Sequence, residues 1–354
     1  MVRGAFDWRD GERLIRFGRG AAADAVEALG GPGYLLLTTS RAGAVLPAVA
    51  EAAAGVRLVP AGGVPELAAE ALEWARRAGG PEMPALATAA HSWARPHDGP
   101  SERIVALGGG RVIDVAKAVA AALGGGTRAM AIPTTLSGAE LTSGHRHAAG
   151  VDEATPRVRC AVVVSDPALA ASQPAEQLAA SALNALGHAV EAPCTVGANP
   201  VATLAAHEAV QLLVRAFGGA EPDRDALALG ALLAGYALDS AGFGLHHVLA
   251  QTLAREGLVT HGQANAVLLP HTIAALARRF GDRIAALAER LGEDPAAAAT
   301  RLRTLTGATR LRELGVGADA LERCVEAAAA RPQLDATPPR PHDDELRAIY
   351  AGAL

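Results

Sequence analysis

SERIVALGGGRVIDVAKAVAAAL, residues 101–123, runs an apolar strand-like segment directly into Gly108, Gly109 and Gly110 and then into an amphipathic helix. This is the architecture of a phosphate loop: glycine lets the backbone approach an anion, while free amides and the helix dipole supply positive potential. A tight strand-to-helix turn would leave the same trace, and the run matches neither G-x-G-x-x-G nor the P-loop consensus. Asp114 and Lys117 follow three residues apart on one helix face, within reach of each other or of polar ligand groups. Lys117 is the single lysine among 32 basic residues. Where arginine has displaced every other lysine, a retained ammonium marks a position that a planar fork cannot fill; chance survival is the competing explanation.

Outward from this stretch the pattern repeats. Ala129–Pro133 is a second apolar run, leading into Thr134, Thr135 and Gly138. Hydroxyls there stand at a strand's C-terminal end, where open α/β sheets bind ligands. Tyr34–Thr39, Val56–Pro60 and Arg103–Leu107 read as further strands, and Ala44–Ala54 and Pro65–Ala78 as helices between them. The alternation predicts a nucleotide-binding α/β domain with a Rossmann-like parallel sheet over residues 1–162. Its last part, RVRCAVVVSD, reads as a hairpin that closes the domain. Residues 163–354 are predicted to be all-α, since nearly every segment from Pro174 on has helical spacing of Ala and Leu. Breaks fall near 197–200, 218–222, 256–262 and 331–341.

Composition bounds the function. The chain has 354 residues, 50% hydrophobic and 19% charged, enough for two domains with real cores. Aromatic residues reach only 3%, so those cores must be built from Ala, Val and Leu, a bias that favours helix. A net charge of -5 offers no basic face for a polyanion, so nucleic acid is not an expected partner. Cys160, Cys194 and Cys324 show no CxxC spacing, which argues against a disulfide framework or a thiolate metal cage. The opening MVRGAFDWRDGERLIRF carries charges where a signal peptide is apolar, and no uncharged apolar run of about 18 residues follows. A cytoplasmic protein with no membrane partner is expected.

Of eleven histidines, a few fall in a pattern. In SALNALGHAVEA, Asn184, His188 and Glu191 stand at i, i+4 and i+7, on one helix face. Further on, His247 is followed at i+4 by Gln251 and fourteen residues on by His261, at a Gly-bounded break. An i, i+4 pair joined by histidines from other elements is the arithmetic of a metal or catalytic site, though such a pair alone also occurs as structure. His91, His97, His207 and His342 read as solvated or loop positions.

Taken together, GGGRVIDVAKA, PTTLSGAELT, ALNALGHAVEA with ANP after it, and GLHHVLAQTL with THGQANAVLLPH resemble the iron-containing alcohol dehydrogenase superfamily. Within it the chain is most similar to maleylacetate reductases, and FDWRDGERLIRFGRGAA resembles that family's N-terminal strand pair. The motifs keep their order over roughly residues 5–280. The resemblance implies the dehydroquinate synthase-like fold, a nicotinamide cofactor (NADH or NADPH), a small-molecule substrate and a homodimer. Gly108, Gly109, Gly110, Asp114 and Lys117 would hold the pyrophosphate and nearby ribose; Thr134, Thr135 and Gly138 would line the adenine and ribose side. Ser40 and Arg41 end the strand that would meet the adenosine ribose; with no carboxylate there, an arginine would tolerate a 2′-phosphate. The superfamily's metal ligands, an aspartate and three histidines, correspond here to Asn184, His188, His247 and His261. An amide in place of the only anionic ligand weakens affinity for Fe²⁺ or Zn²⁺, so a divalent metal is doubtful, although three histidines can bind zinc.

Three departures lie around the substrate. Gln251 stands where the family has a histidine able to exchange protons, Pro193, Cys194 and Thr195 replace a tyrosine-bearing stretch, and Ser143–His147 replaces a tryptophan-bearing one. The leading expectation is an NAD(P)H-dependent reductase of a small polar enone or carbonyl acid. His188, His247 and His261 would stabilise the oxyanion and either a histidine or a water placed by Gln251 would supply the proton. The alternatives are a non-redox lyase, dehydratase or cyclase on the same scaffold, and a metal-dependent alcohol dehydrogenase.

Overall fold

The computed structural model describes residues 4–77 and 102–354. Two compact units divide the chain: Met1–Thr135 with Ala139–Ser172, and Leu136–Gly138 with Gln173–Leu354.

In the first unit the strands are β1 (Phe6–Asp10), β2 (Arg13–Phe17), β3 (Leu35–Thr38), β4 (Gly55–Leu58), β5 (Arg103–Gly108), β6 (Arg128–Pro133) and β7 (Cys160–Ser165). They form one sheet in the order β1-β2-β7-β6-β5-β3-β4. Only β1 and β2 pair antiparallel; the remaining neighbours are parallel. The helices are α1 (Ala25–Ala28), α2 (Ser40–Val45), α3 (Pro47–Glu51), α4 (Val64–Arg76) and α5 (Gly110–Leu123). Continuous apolar runs such as Leu35–Leu37 and Ile104–Leu107 are buried, as befits parallel strands covered on both faces.

Two local expectations change. Ala44–Ala54 is not one helix, because Pro47 lacks an N–H and disfavours a helical Leu46 (φ −131°, ψ 71°), so α2 ends and α3 begins there. Nor does RVRCAVVVSD form a hairpin: β7 pairs parallel with β6 on one side and β2 on the other. Its run Cys-Ala-Val-Val-Val lacks the polar alternation of a half-exposed hairpin strand and fits an interior one. A boundary after residue 162 would cut β7, which runs to Ser165; the first unit ends at Ser172.

The second unit is helical: α6 (Ala175–Glu191), α7 (Pro200–Arg215), α8 (Arg224–Ala241), α9 (Leu245–Arg255), α10 (His261–Arg279), α11 (Gly281–Leu291), α12 (Pro295–Arg303), α13 (Ala318–Ala329) and α14 (Asp343–Ala353). The caps are legible: Asn199, Asp223, Thr260 and Asp294 each accept a backbone N–H of the helix they open. Small residues let these helices approach closely; a Cβ on Gly230 would lie 2.8 Å from Leu213 Cγ. Among the described residues no single helix is long and apolar enough to cross a membrane.

Candidate active site

In the first unit, chain order reverses between β3 and β5, which lie side by side with Thr38 opposite Leu107; on the far side of β5, Gly108 pairs with Pro133 of β6. Ser40, the Gly108–Gly110 loop, Thr134 and Thr135 therefore gather at the C-terminal ends of three adjacent strands, at the switch point where such sheets bind ligands. Helix α5 starts at Gly110 with Gly109 as N-cap and no side chain capping it, which leaves its first amides to an anion. The glycines have packing reasons too: a Cβ on Gly109 would stand 3.0 Å from Thr135 Cγ2, and one on Gly108 2.8 Å from Val112 Cγ2. The Thr134 amide donates to Gly108 O at 3.0 Å, tying the two strand ends together. Ser40 is exposed at the start of α2, which Thr39 caps through Ala42 N. This cradle fits the phosphates of a dinucleotide.

Lys117 does something else. Its side chain is fully buried, and its ammonium donates to Ala139 O (2.8 Å), Thr142 O (3.1 Å) and Gly144 O (2.8 Å) while Asp114 Oδ1 lies 2.9 Å away. Three N–H groups meet three carbonyls, so none remains for a cofactor; the expected phosphate or ribose contact is corrected to a clamp on residues 139–144. Gly138 is likewise placed elsewhere than expected. It belongs to the second unit, at φ +72°, and a Cβ there would stand 3.2 Å from His188 Cε1 and Nδ1.

In the second unit, α6 carries Asn184, His188 and Glu191 along one face, as their spacing requires. His246 and His247 occupy the first turn of α9, and His261 opens α10 behind a Thr260–Gln263 capping box. Glu191 ties α9 to α6: one oxygen accepts from His246 N (2.6 Å), the other from His247 Nδ1 (2.6 Å). Burial raises the Glu191 carboxyl pKa, and burial pushes the His247 imidazole down to about 3, so His247 is uncharged at neutral pH. With Nδ1–H given to Glu191, Nε2 carries a lone pair, and that buried atom meets no partner; neither does His188 Nδ1. The two rings lie 4.6 Å apart, and burial holds His188 well below the usual imidazole range. His261 Nε2 stands 3.1 Å from Asn184 Oδ1 and 3.1 Å from Asn265 Nδ2, while Asn184 Nδ2 donates to Ser137 O at 3.3 Å.

Asn184, His188, His247 and His261 thus come together as their order implied. Gln251 lies one turn beyond His247, but its Oε1 accepts from Arg331 Nη2 at 2.7 Å. His246, unassigned from sequence, is fully buried, with Nδ1 2.8 Å from Thr272 Oγ1 and Nε2 3.0 Å from Asn265 Oδ1. The His-His doublet and Asn265 at i+4 from His261 were its available signals; Arg331 had none. His207 is half-buried on α7 and His342 exposed before α14. His91 and His97 lie outside the described residues.

Known proteins resemble this chain in sequence and fold. Residues 178–354 match the Fe-containing alcohol dehydrogenase family, C-terminal. The maleylacetate reductase of Rhizobium sp. (strain MTP-10005) is 31% identical over 239 residues, 65% of this chain and 68% of that protein. The chain belongs to the Fe-containing alcohol dehydrogenase family. A maleylacetate reductase of Sphingobium indicum is 37% identical over 183 residues, 48% of this chain and only 50% of that protein's length. The crystal structure of the Rhizobium enzyme has a TM-score of 0.77 at 28% identity, covering 100% of this chain and 99% of that one. A 1,3-propanediol oxidoreductase structure gives 0.77 at 26%, covering 96% and 97%. Membership places the chain among oxidoreductase enzymes. As for this family's metal, Asn184, His188, His247 and His261 offer no anionic donor, and among the described residues no three His, Cys, Asp or Glu side chains gather to hold an ion. The set does not fit a tightly held divalent cation, and no step below runs through one.

Proposed function

We propose that this chain is an NAD(P)H-dependent reductase of a small polar enone or carbonyl acid, maleylacetate reductase-like in scaffold with an altered substrate site. The observation that carries the reading is the gathering of Ser40, Gly108–Gly110, Thr134 and Thr135 at the sheet's switch point, in a chain 31% identical to a maleylacetate reductase. A bound nicotinamide would supply the hydride. The loop amides at the start of α5 bind its phosphates, and Arg41 beside Ser40 tolerates a 2′-phosphate, so both NADH and NADPH are admitted.

The second unit supplies proton chemistry. His247 works as an acceptor, not as a donor to an oxyanion: its Nδ1–H is held by Glu191 and its Nε2 offers a lone pair. In the direction of reduction it must take up a proton before handing it to the alkoxide oxygen of a carbonyl substrate or to the α-carbon of an enone after hydride addition; in reverse it takes the alcohol or α-carbon proton directly. Glu191 holds the ring in the tautomer this needs, and His188 presents a second unpartnered nitrogen beside it. Gln251 has its oxygen engaged by Arg331, so its amide nitrogen is the group left to place a water. The substrate is a small molecule and the working form a homodimer.

Two measurements test the reading. Titrating NADH or NADPH into the protein should change nicotinamide fluorescence, and a carbonyl acid such as maleylacetate should then deplete nicotinamide absorbance. Fluorescence unchanged with both cofactors would sink the reductase in favour of a non-redox enzyme. Elemental analysis finding stoichiometric iron or zinc would favour a metal-dependent alcohol dehydrogenase.

A further inference from the structure

Among the described residues, Arg331 is the buried arginine that lies against the histidine site. It is 9% exposed, donates from Nη1 to Val248 O (3.2 Å) and from Nη2 to Gln251 Oε1 (2.7 Å), and its charge is felt by His247. Its position is fixed from both sides. Arg340 Nη2 donates to its carbonyl at 3.1 Å, and six residues on, Thr337 Oγ1 accepts the first amide of α9, Leu245 N, at 3.0 Å. What the guanidinium lacks is a counter-ion: among the described residues no carboxylate lies at ion-pair distance. Burial, and after it the like charge of Arg255, bring its pKa down to about 10, still charged at neutral pH.

A largely buried cation whose hydrogen-bond acceptors are a carbonyl and an amide oxygen carries a desolvation cost that a carboxylate partner would offset. A purely structural tie would be served better by glutamate at 251, which makes the same hydrogen bond and cancels the charge. Glutamine keeps the guanidinium oriented and leaves its charge unspent, one helical turn from His247 Nε2, which is itself buried and unpartnered. We propose that Arg331 binds a carboxylate of the substrate, with Gln251 as the positioning residue that holds the guanidinium in place without neutralising it. The inference deepens the reductase reading and rests on it for the word substrate: it selects the carbonyl acid over the neutral enone.

The test uses the full-length protein and calorimetric titration of maleate, with its uncharged diamide as control, in the presence and absence of NADH. The wild type should bind maleate and not the diamide. Gln251→Glu, which keeps the hydrogen bond and pairs the charge internally, should weaken maleate binding on the order of 10- to 100-fold. Its melting temperature should be equal or higher, and its NADH affinity unchanged. Arg331→Gln should lose maleate to the same extent. A structural tie predicts the opposite: Gln251→Glu binds maleate like the wild type, and that outcome overturns the proposal, as does a wild type that does not distinguish maleate from its diamide. Maleate binding that Gln251→Glu abolishes, in a protein indifferent to NADH and NADPH, keeps the carboxylate site and discards the reductase. NADH oxidation by a carbonyl acid with an unchanged KM in Gln251→Glu does the reverse.

Discussion

At the residue scale, Lys117 shows how a correct signal can carry the wrong role. Its rarity marked it as a position that arginine does not fill, and the structure supplies a reason internal to the chain: a tetrahedral ammonium is the group that meets three carbonyls converging from residues 139–144 inside a site with no exposure. Lys117→Arg should therefore lower stability by about 3 kcal/mol through overpacking and unmet carbonyls. The melting curve reads this directly, and a variant as stable as the wild type would return the lysine to chance. Glu191 shows the converse. It was legible as the third member of a helical face, yet its role needed the partner helix, because only α9 brings His246 N and His247 Nδ1 to its two oxygens.

The elements follow their sequence signals wherever the physics is local. Strand β5, the glycine loop and α5 stand where the 101–123 stretch put them, because an apolar run, a flexible turn and an amphipathic period are properties of neighbouring residues. Pairing is not local, and β7 was misread for that reason: nothing within Cys160–Ser165 says that its neighbours are β2 and β6. Close helix packing is equally non-local. Gly187 looks like an ordinary interruption of α6, yet a Cβ there would lie 2.6 Å from His246 Nε2, an atom held at 3.0 Å by Asn265. Gly187→Ala should gain helix propensity and still lose about 1–3 kcal/mol net, since the ring cannot move without breaking its hydrogen bonds. A urea midpoint at or above the wild-type value would show that the His246 network yields.

At the scale of the whole molecule, two buried groups give stability a pH dependence. Burial raises Glu140 from 4.5 to about 7, so its contribution is full below pH 4.5 and lost as pH rises through 7; burial lowers His145 from 6.5 to about 4, so its contribution is full above pH 6.5 and lost as pH falls through 4. The two slopes oppose each other between 4.5 and 6.5. Lys117 and Asp114 also act on Glu140, and Lys117, His147 and Arg157 on His145. Glu140→Gln removes one arm. Relative to wild type it should gain on the order of 2–3 kcal/mol between about pH 4.5 and pH 8, measured by urea unfolding across that range; a constant difference would place Glu140 in solvent. Sedimentation should give twice the chain mass if β1, at one edge of the sheet, pairs across a homodimer; a monomer at micromolar concentration removes that part of the proposal. The sequence by itself determined the two fold classes, the glycine loop and the order of the histidine motifs, because composition, periodicity and motif spacing are written along the chain; the family came from the resemblance those motifs carry. Only the tertiary structure decided that Lys117 clamps carbonyls, that His247 presents a lone pair, and that Arg331 stands uncompensated beside Gln251. Each of these is a matter of which distant group supplies or withholds a hydrogen bond or a charge, and that is set by packing between elements.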